Sequence, residues 1–254
     1  MKQKITCFCE NAFDVEIPGE FNLDTGPYLE EIQNGTFLNF TCSSCGKKHK
    51  PEFQITLVWP SKKIRFEVFP ELDRGEFYRR KKQPPVKEPY RLETLIGYPE
   101  MADRLAVIRD GFEPAAIEAI KYFLHIKAEE QYPEDEPDIW YYGYSGGKTA
   151  DEKAAGAGAA AGNGSNTSGG KSAAVNSAKA AGAGAAAGAD NSGSLEFHIH
   201  GIRENEVAVT KVPYSLYQKT LEDYKNKSKS ELFNELRVKS YLSVKNTLRP
   251  ETFR

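Results

Sequence analysis

The chain has 254 residues, of which 39% are hydrophobic, 28% charged and 11% aromatic, and its formal net charge is −2. Such a near-neutral balance argues against a protein built mainly as an electrostatic binder of nucleic acid or membrane. Four cysteines and a pI near 6.2 argue against a disulfide-rich secreted scaffold. The low mean hydropathy, −0.58, has a local cause. Residues 148–194 are almost wholly Ala, Gly, Ser, Asn and Lys, and about 207 other residues carry nearly all the aromatic and branched side chains. That remainder is long enough to bury an ordinary core.

The N-terminus, Met1-Lys-Gln-Lys-Ile-Thr-Cys7, is basic but lacks an apolar run and a small-residue cleavage site. No window approaches the ~18 consecutive apolar residues of a spanning helix. A cytoplasmic location with reduced thiols and no membrane association is expected.

Residues 1–83 read as β-rich. Val15 and Ile17 alternate with Asp14 and Glu16, the pattern of a half-buried strand. Pro27 to Gly35 reads as a short helix, with Pro27 in the first turn and Gly35 in the left-handed position after its end. Phe53, Ile55, Leu57 and Trp59 alternate, then Ile64, Phe66 and Val68, around a Trp-Pro-Ser-Lys-Lys turn: a hairpin. Arg79 to Pro89 is charged and Pro-rich, as in an exposed connector. Beyond it the sequence reads as helical, with Pro99 and Pro114 opening helices and Gly111 between them. Asp138–Tyr144, Leu195–Ile202 and Glu206–Val212 read as strands. Two helices are expected to close the chain, the second running from Ser228, with Glu231 completing a capping box, through Leu232, Phe233, Leu236, Tyr241 and Val244.

The Ala/Gly-rich stretch contains a repeat: Lys153–Gly162 recurs as Lys179–Gly188. Without large apolar side chains it cannot offset the entropy of ordering itself. It is expected to be a disordered insert in a hairpin loop, where added length costs little.

All four cysteines fall early, as Cys7-x-Cys9 and Cys42-x-x-Cys45-Gly46. A C-x-x-C turn aims two thiolates at one ion, and Gly46 permits the positive φ such a knuckle needs. Two pairs supply four soft ligands, which suits tetrahedral Zn²⁺. The C-x-C pair requires the chain to turn there, because on a regular strand both side chains would share one face. A redox dithiol at Cys42/Cys45, an iron–sulfur cluster, four separate buried thiols and His49 as a substitute ligand are the competing readings. No thioredoxin-like context or typical cluster spacing supports the first two. Four thiolates close the coordination sphere, so the expected role of the zinc is structural.

Thr6-Cys-Phe-Cys9, the helix ending at Asn34-Gly35, Leu38-Asn-Phe-Thr-Cys-Ser-Ser-Cys-Gly46 and the hairpin to Pro70 resemble the CpXC domain family, named for two Cys-Pro-x-Cys motifs. The resemblance extends through Tyr90–Leu95 and Glu100–Lys121, which are similar to the family's helical part. Here the first motif is C-x-C and the second has Ser43 in place of proline, while all four ligand positions remain. The resemblance implies the metal site and the fold, and no reaction.

Other candidate chemistry is weaker. His198 and His200 share a strand face, with Glu196 in the same row, but lack a further ligand. Arg79–Lys82 is a short basic run, typical of a solvated linker. Trp140 to Tyr144 is aromatic-rich, and core packing is favoured over a stacking platform. No phosphate loop, nucleophile elbow or H-E-x-x-H motif occurs.

The expected architecture is α+β. A four-Cys zinc-ribbon-like β module (1–83) precedes a unit of helices on a small antiparallel sheet, made of residues 84–147 and 195–254 and interrupted by the insert (148–194). The expected function is a cytoplasmic zinc-binding module acting on a protein partner. A nucleic-acid-associated zinc-ribbon protein is the alternative, and an enzyme with an unrecognised cleft ranks third.

Overall fold

In a computed structural model of the chain, the described residues are 1–80, 89–146, 193–202 and 206–248. The Ala/Gly-rich repeat lies outside them, as do Lys81 and Lys82 of the basic run. The chain forms two compact units, residues 1–105 with 234–254 and residues 106–233. No helix among the described residues is long and apolar enough to cross a membrane. The α+β class is present in both units.

The first unit begins with β1 (Lys2–Thr6) paired antiparallel to β2 (Ala12–Glu16), followed by β3 (Glu20–Asn22) and α1 (Tyr28–Gln33). Gly35 takes a φ of 66° after the helix, the left-handed position expected of it. β4 (Phe40–Thr41) and β5 (Lys48–His49) make a second small antiparallel pair. The expected hairpin is present: β6 (Ile55–Trp59) and β7 (Ile64–Phe69) pair with Trp59 opposite Ile64. Lys63 takes a left-handed φ of 55° in the turn. Leu57, Phe66 and Val68 are fully buried.

The hairpin is the middle of a larger sheet. α2 (Arg74–Arg79) follows β7, and β8 (Arg91–Ile96) then runs parallel to β7 in a mixed sheet of order β12-β13-β8-β7-β6-β3. The outer members come from the chain's last part, β12 (Arg237–Val238) and β13 (Tyr241–Leu242). Two expectations are corrected here. Residues 90–96, read as leading into helices, form β8, a strand buried at Leu95 and Ile96 between β7 and β13. The division expected at residue 83 falls at residue 105 instead, because β8 belongs to the hairpin's own sheet. The C-terminal helix is also shorter than expected: α6 (Ser230–Glu235) stops, and Lys239 turns with a φ of 58° into β13. Leu236 and Tyr241 are fully buried, so sheet packing overrides the helical spacing of these apolar residues.

Polar groups secure this return. Tyr241 Oη lies 2.8 and 2.9 Å from the two Glu100 carboxylate oxygens and accepts a bond from Arg74 Nη1 at 2.7 Å. Arg74 Nη2 also donates to Glu100 Oε1 at 2.7 Å. Arg104 Nη2 donates to the Leu242 carbonyl at 2.6 Å.

α3 (Tyr98–Arg109) crosses the division between the units, and Gly111 follows it at a φ of 79°. The second unit contains α4 (Pro114–Gln131), opened by Pro114 and capped by the Glu113 carboxylate on the Ala115 N–H. Its three-stranded antiparallel sheet has the order β11-β10-β9, from β9 (Asp138–Ser145), β10 (Ser194–His200) and β11 (Ala208–Pro213). Ile117 and Ile120 of α4 pack on Tyr141, Leu195 and Phe197 of the sheet and on Tyr217 of α5 (Tyr214–Lys225). Helices on a small antiparallel sheet, as expected, describe this unit.

Candidate metal centre

The two cysteine pairs sit in the turns of the two small hairpins. After β1 the chain reverses between Cys7 and Asn11: the Cys7 N–H donates to the Asn11 carbonyl, the Glu10 N–H donates to the Cys7 carbonyl, both at 2.9 Å, and Glu10 takes a φ of 67°. This is the turn that C-x-C demands. Between β4 and β5 the Gly46 N–H donates to the Cys42 carbonyl, and the Cys42 N–H to the Lys47 carbonyl, again at 2.9 Å. Gly46 has a φ of 72°, the freedom read from its place after the second cysteine.

The folded hairpins bring the four sulfurs together, all within 4.8 Å of one another. Cys7 Sγ is 3.4 Å from Cys45 Sγ, and Cys9 Sγ is 3.7 Å from Cys42 Sγ. A tetrahedron with ~2.3 Å metal–sulfur bonds has sulfur–sulfur edges of about 3.8 Å, so the set has the span such an ion requires. All four are free thiols, with Cys7 and Cys42 buried and Cys9 and Cys45 exposed. The cluster therefore lies half in the protein and half at its surface.

The local electrostatics fit a cation. The Asn11 side-chain amide donates to Cys42 Sγ at 3.4 Å. That bond, with the backbone N–H groups of Cys45 and Ser44, pulls the Cys42 thiol down to about 6. The Asn11 backbone N–H and the Cys45 and Cys7 sulfurs lower Cys9 as well, against burial and the Cys42 sulfur. Cys7 goes the other way: against a backbone bond at Cys9 that favours its thiolate, burial and the Cys45, Cys9 and Cys42 sulfurs push it up to about 12. Thiolates this close repel each other, and a divalent ion removes that repulsion. Asn11 was not singled out from the sequence. Its only signal is its position two residues after Cys9, on the far side of the turn.

The remaining candidates do not converge. His49 is not a member of the cluster. Its ring stacks on Phe8, 6.0 Å between centroids, and meets Phe13 edge-on at 6.2 Å. His198 Nε2 lies 3.3 Å from Glu196, and its ring stacks on Tyr142 at 4.0 Å. Among the described residues, the only group of three or more His, Cys, Asp or Glu ligand atoms is the cysteine set. In the aromatic strand Ile139 and Tyr141 face the core, as expected, while Tyr142 is exposed.

A protein of Treponema pallidum (strain Nichols), described as an uncharacterized protein, is 26% identical over 96% of this chain and 97% of its own length. No solved structure matches the chain. The family model for the CpXC protein matches residues 5–121, which contain both cysteine pairs. Over residues 5–121, from β1 into α4, just under half of its length, the chain is similar to the CpXC protein family.

Proposed function

We propose that the four cysteines hold one structural Zn²⁺ and that the chain acts as a cytoplasmic zinc-ribbon-like module binding a protein partner. The observation that carries the zinc assignment is the packing of four sulfurs within 4.8 Å in two separate turns. Four thiolates fill a tetrahedral ion and leave it no open position for water or substrate, which favours a structural role over a catalytic one. Phe8, between two of the ligands, is 88% exposed, and an aromatic ring fixed at the rim of a rigid knuckle is the kind of anchor that protein interfaces use. The Ala/Gly-rich segment is read as a linker.

A second reading, nucleic-acid association, is favoured by the lysines beside that ring. Lys47 Nζ lies 6.0 Å from the Phe8 centroid, and Lys48 and Lys50 follow in sequence. Aromatic rings and lysines together serve single-stranded nucleic acid.

Metal analysis of the purified chain should find about one zinc per molecule, lost when Cys42 or Cys7 is replaced by serine. Metal-free protein with four freely reacting thiols would refute the centre. Phe8→Ser should keep the zinc and abolish binding of the native partner. For the second reading, RNA or DNA affinity should fall steeply across a salt series. No binding at low salt would eliminate it.

A further inference from the structure

The hairpin that carries Cys42 and Cys45 has Asn39 at one foot and Lys50 at the other, and both reach the same atom. Asn39 Nδ2 donates to the Gly35 carbonyl at 3.1 Å and Lys50 Nζ donates to it at 3.0 Å. These residues edge a cavity of about 330 Å³. Its apolar wall comes from Ile32 of α1, Phe37, and Tyr98 and Met101 of α3. The Phe37 and Tyr98 rings are 6.0 Å apart and inclined at 49°, leaving an aromatic corner.

Three polar residues line the cavity as well. Asn39 Oδ1 is buried and has no hydrogen-bond partner among the described residues. Its orientation is fixed, because the amide nitrogen is already committed to Gly35. Lys50 uses one of its three ammonium protons on Gly35. The Glu52 carboxylate takes backbone N–H bonds from Tyr98 at 2.7 Å and Glu71 at 2.6 Å, which hold it in place while each oxygen retains a lone pair. Tyr98 Oη, within hydrogen-bond distance of the Phe53 backbone, is pushed up to about 12 by burial and stays neutral. A buried acceptor without a donor costs free energy that a ligand can return. The cavity volume is at the small end of ligand pockets.

We propose that this cavity binds a large apolar α-amino acid. The apolar side chain fills the Phe37–Tyr98–Met101 corner, the carboxylate meets the Lys50 ammonium, and the α-ammonium donates to Asn39 Oδ1 and Glu52. A plain hydrocarbon would leave Asn39 Oδ1 without a donor and meet neither charge. A plain fatty acid would leave Asn39 Oδ1 without a donor and the Glu52 charge without a cation. The α-amino acid supplies both an anion and a cation, the two charges that Lys50 and Glu52 call for.

The test is calorimetric titration of the full-length, metal-loaded chain with L-phenylalanine, 3-phenylpropionate and 2-phenylethylamine. The amino acid should bind saturably at one site, and each analogue should bind about tenfold or more weakly, having lost a charge-assisted contact. Lys50→Met, at an exposed position, should reduce phenylalanine affinity by a similar factor and leave 2-phenylethylamine affinity unchanged. Ala102→Phe, which places a ring in the cavity, should abolish binding while the melting temperature and metal content confirm folding. No saturable binding at roughly 10 mM phenylalanine, far weaker than a typical ligand site, would overturn the proposal. Equal affinity for all three compounds, or binding that survives both substitutions, would do the same.

Discussion

Removing the proposed metal should loosen the two cysteine hairpins and little else. β1–β2 and β4–β5 are separate two-stranded pairs that do not join the six-stranded sheet. A lone hairpin of that size is marginal in water. Cys9 and Cys42 bracket 32 intervening residues. Closing a loop of that length with a cross-link removes about 3.7 kcal/mol of chain entropy, corresponding to roughly 500-fold in an opening equilibrium. This is an upper bound, because β3, inside the loop, is already held by pairing with β6 beyond it, Phe21 opposite Leu57. The assay is amide hydrogen exchange on the metal-loaded chain and on the same chain after chelation. Peptides covering residues 2–16 and 40–49 should lose protection by about one hundred- to 500-fold, while β7 keeps its own. The reasoning fails if the hairpins exchange at their original rate once metal loss is verified. It fails equally if β7 loses protection to the same degree.

Three further outcomes follow from the same geometry. Asn11→Ala removes the donor on Cys42 Sγ, so metal affinity should fall about tenfold or more and the Cys42 thiol should titrate higher, which competition with a zinc chelator and thiolate absorbance would read. In metal-free protein the Cys42 pKa is depressed to about 6 from an ordinary value of 9.0. Its contribution to stability is thus fully present above 9, and is lost as pH falls through about 6. Urea midpoints of metal-free protein should rise between those limits by more than those of metal-free Cys42→Ser, and identical profiles would refute the assignment. Tyr241→Phe deletes a hydroxyl shared by Arg74 and Glu100, and should cost about 1–3 kcal/mol in urea unfolding. A cost below about 0.5 kcal/mol would mean that the Arg74–Glu100 pair compensates.

The candidate centre was legible because its determinants are local. Two cysteine pairs, the glycine after Cys45 and the reversal forced by C-x-C are all readable within a few residues. The β6–β7 hairpin and α4 were legible for the same reason: alternation and a proline start need no distant partner. β8 and β13 were not. Parallel pairing joins segments far apart in sequence, Glu67 beside Thr94 and Thr94 beside Tyr241, and no local pattern marks such neighbours. Leu232, Phe233, Leu236 and Val244 fit a helical period well enough to conceal the turn at Lys239. Asn11 was missed because a hydrogen bond to sulfur across a tight turn leaves no repeating pattern.

The return of β13 to the first sheet has a consequence for synthesis. While the ribosome is still making residues 106–233, the N-terminal unit lacks the strand that covers β8. The nascent chain therefore carries an open, apolar strand edge, ending in Leu95 and Ile96, for more than a hundred residues of elongation. A fragment ending where the family match ends, at residue 121, would keep that edge for good. It would also keep Glu100 and Arg74 without the Tyr241 hydroxyl. Such a fragment should aggregate, and restoring residues 234–248 behind a short bridge should reduce the part of that aggregation that the open β8 edge causes.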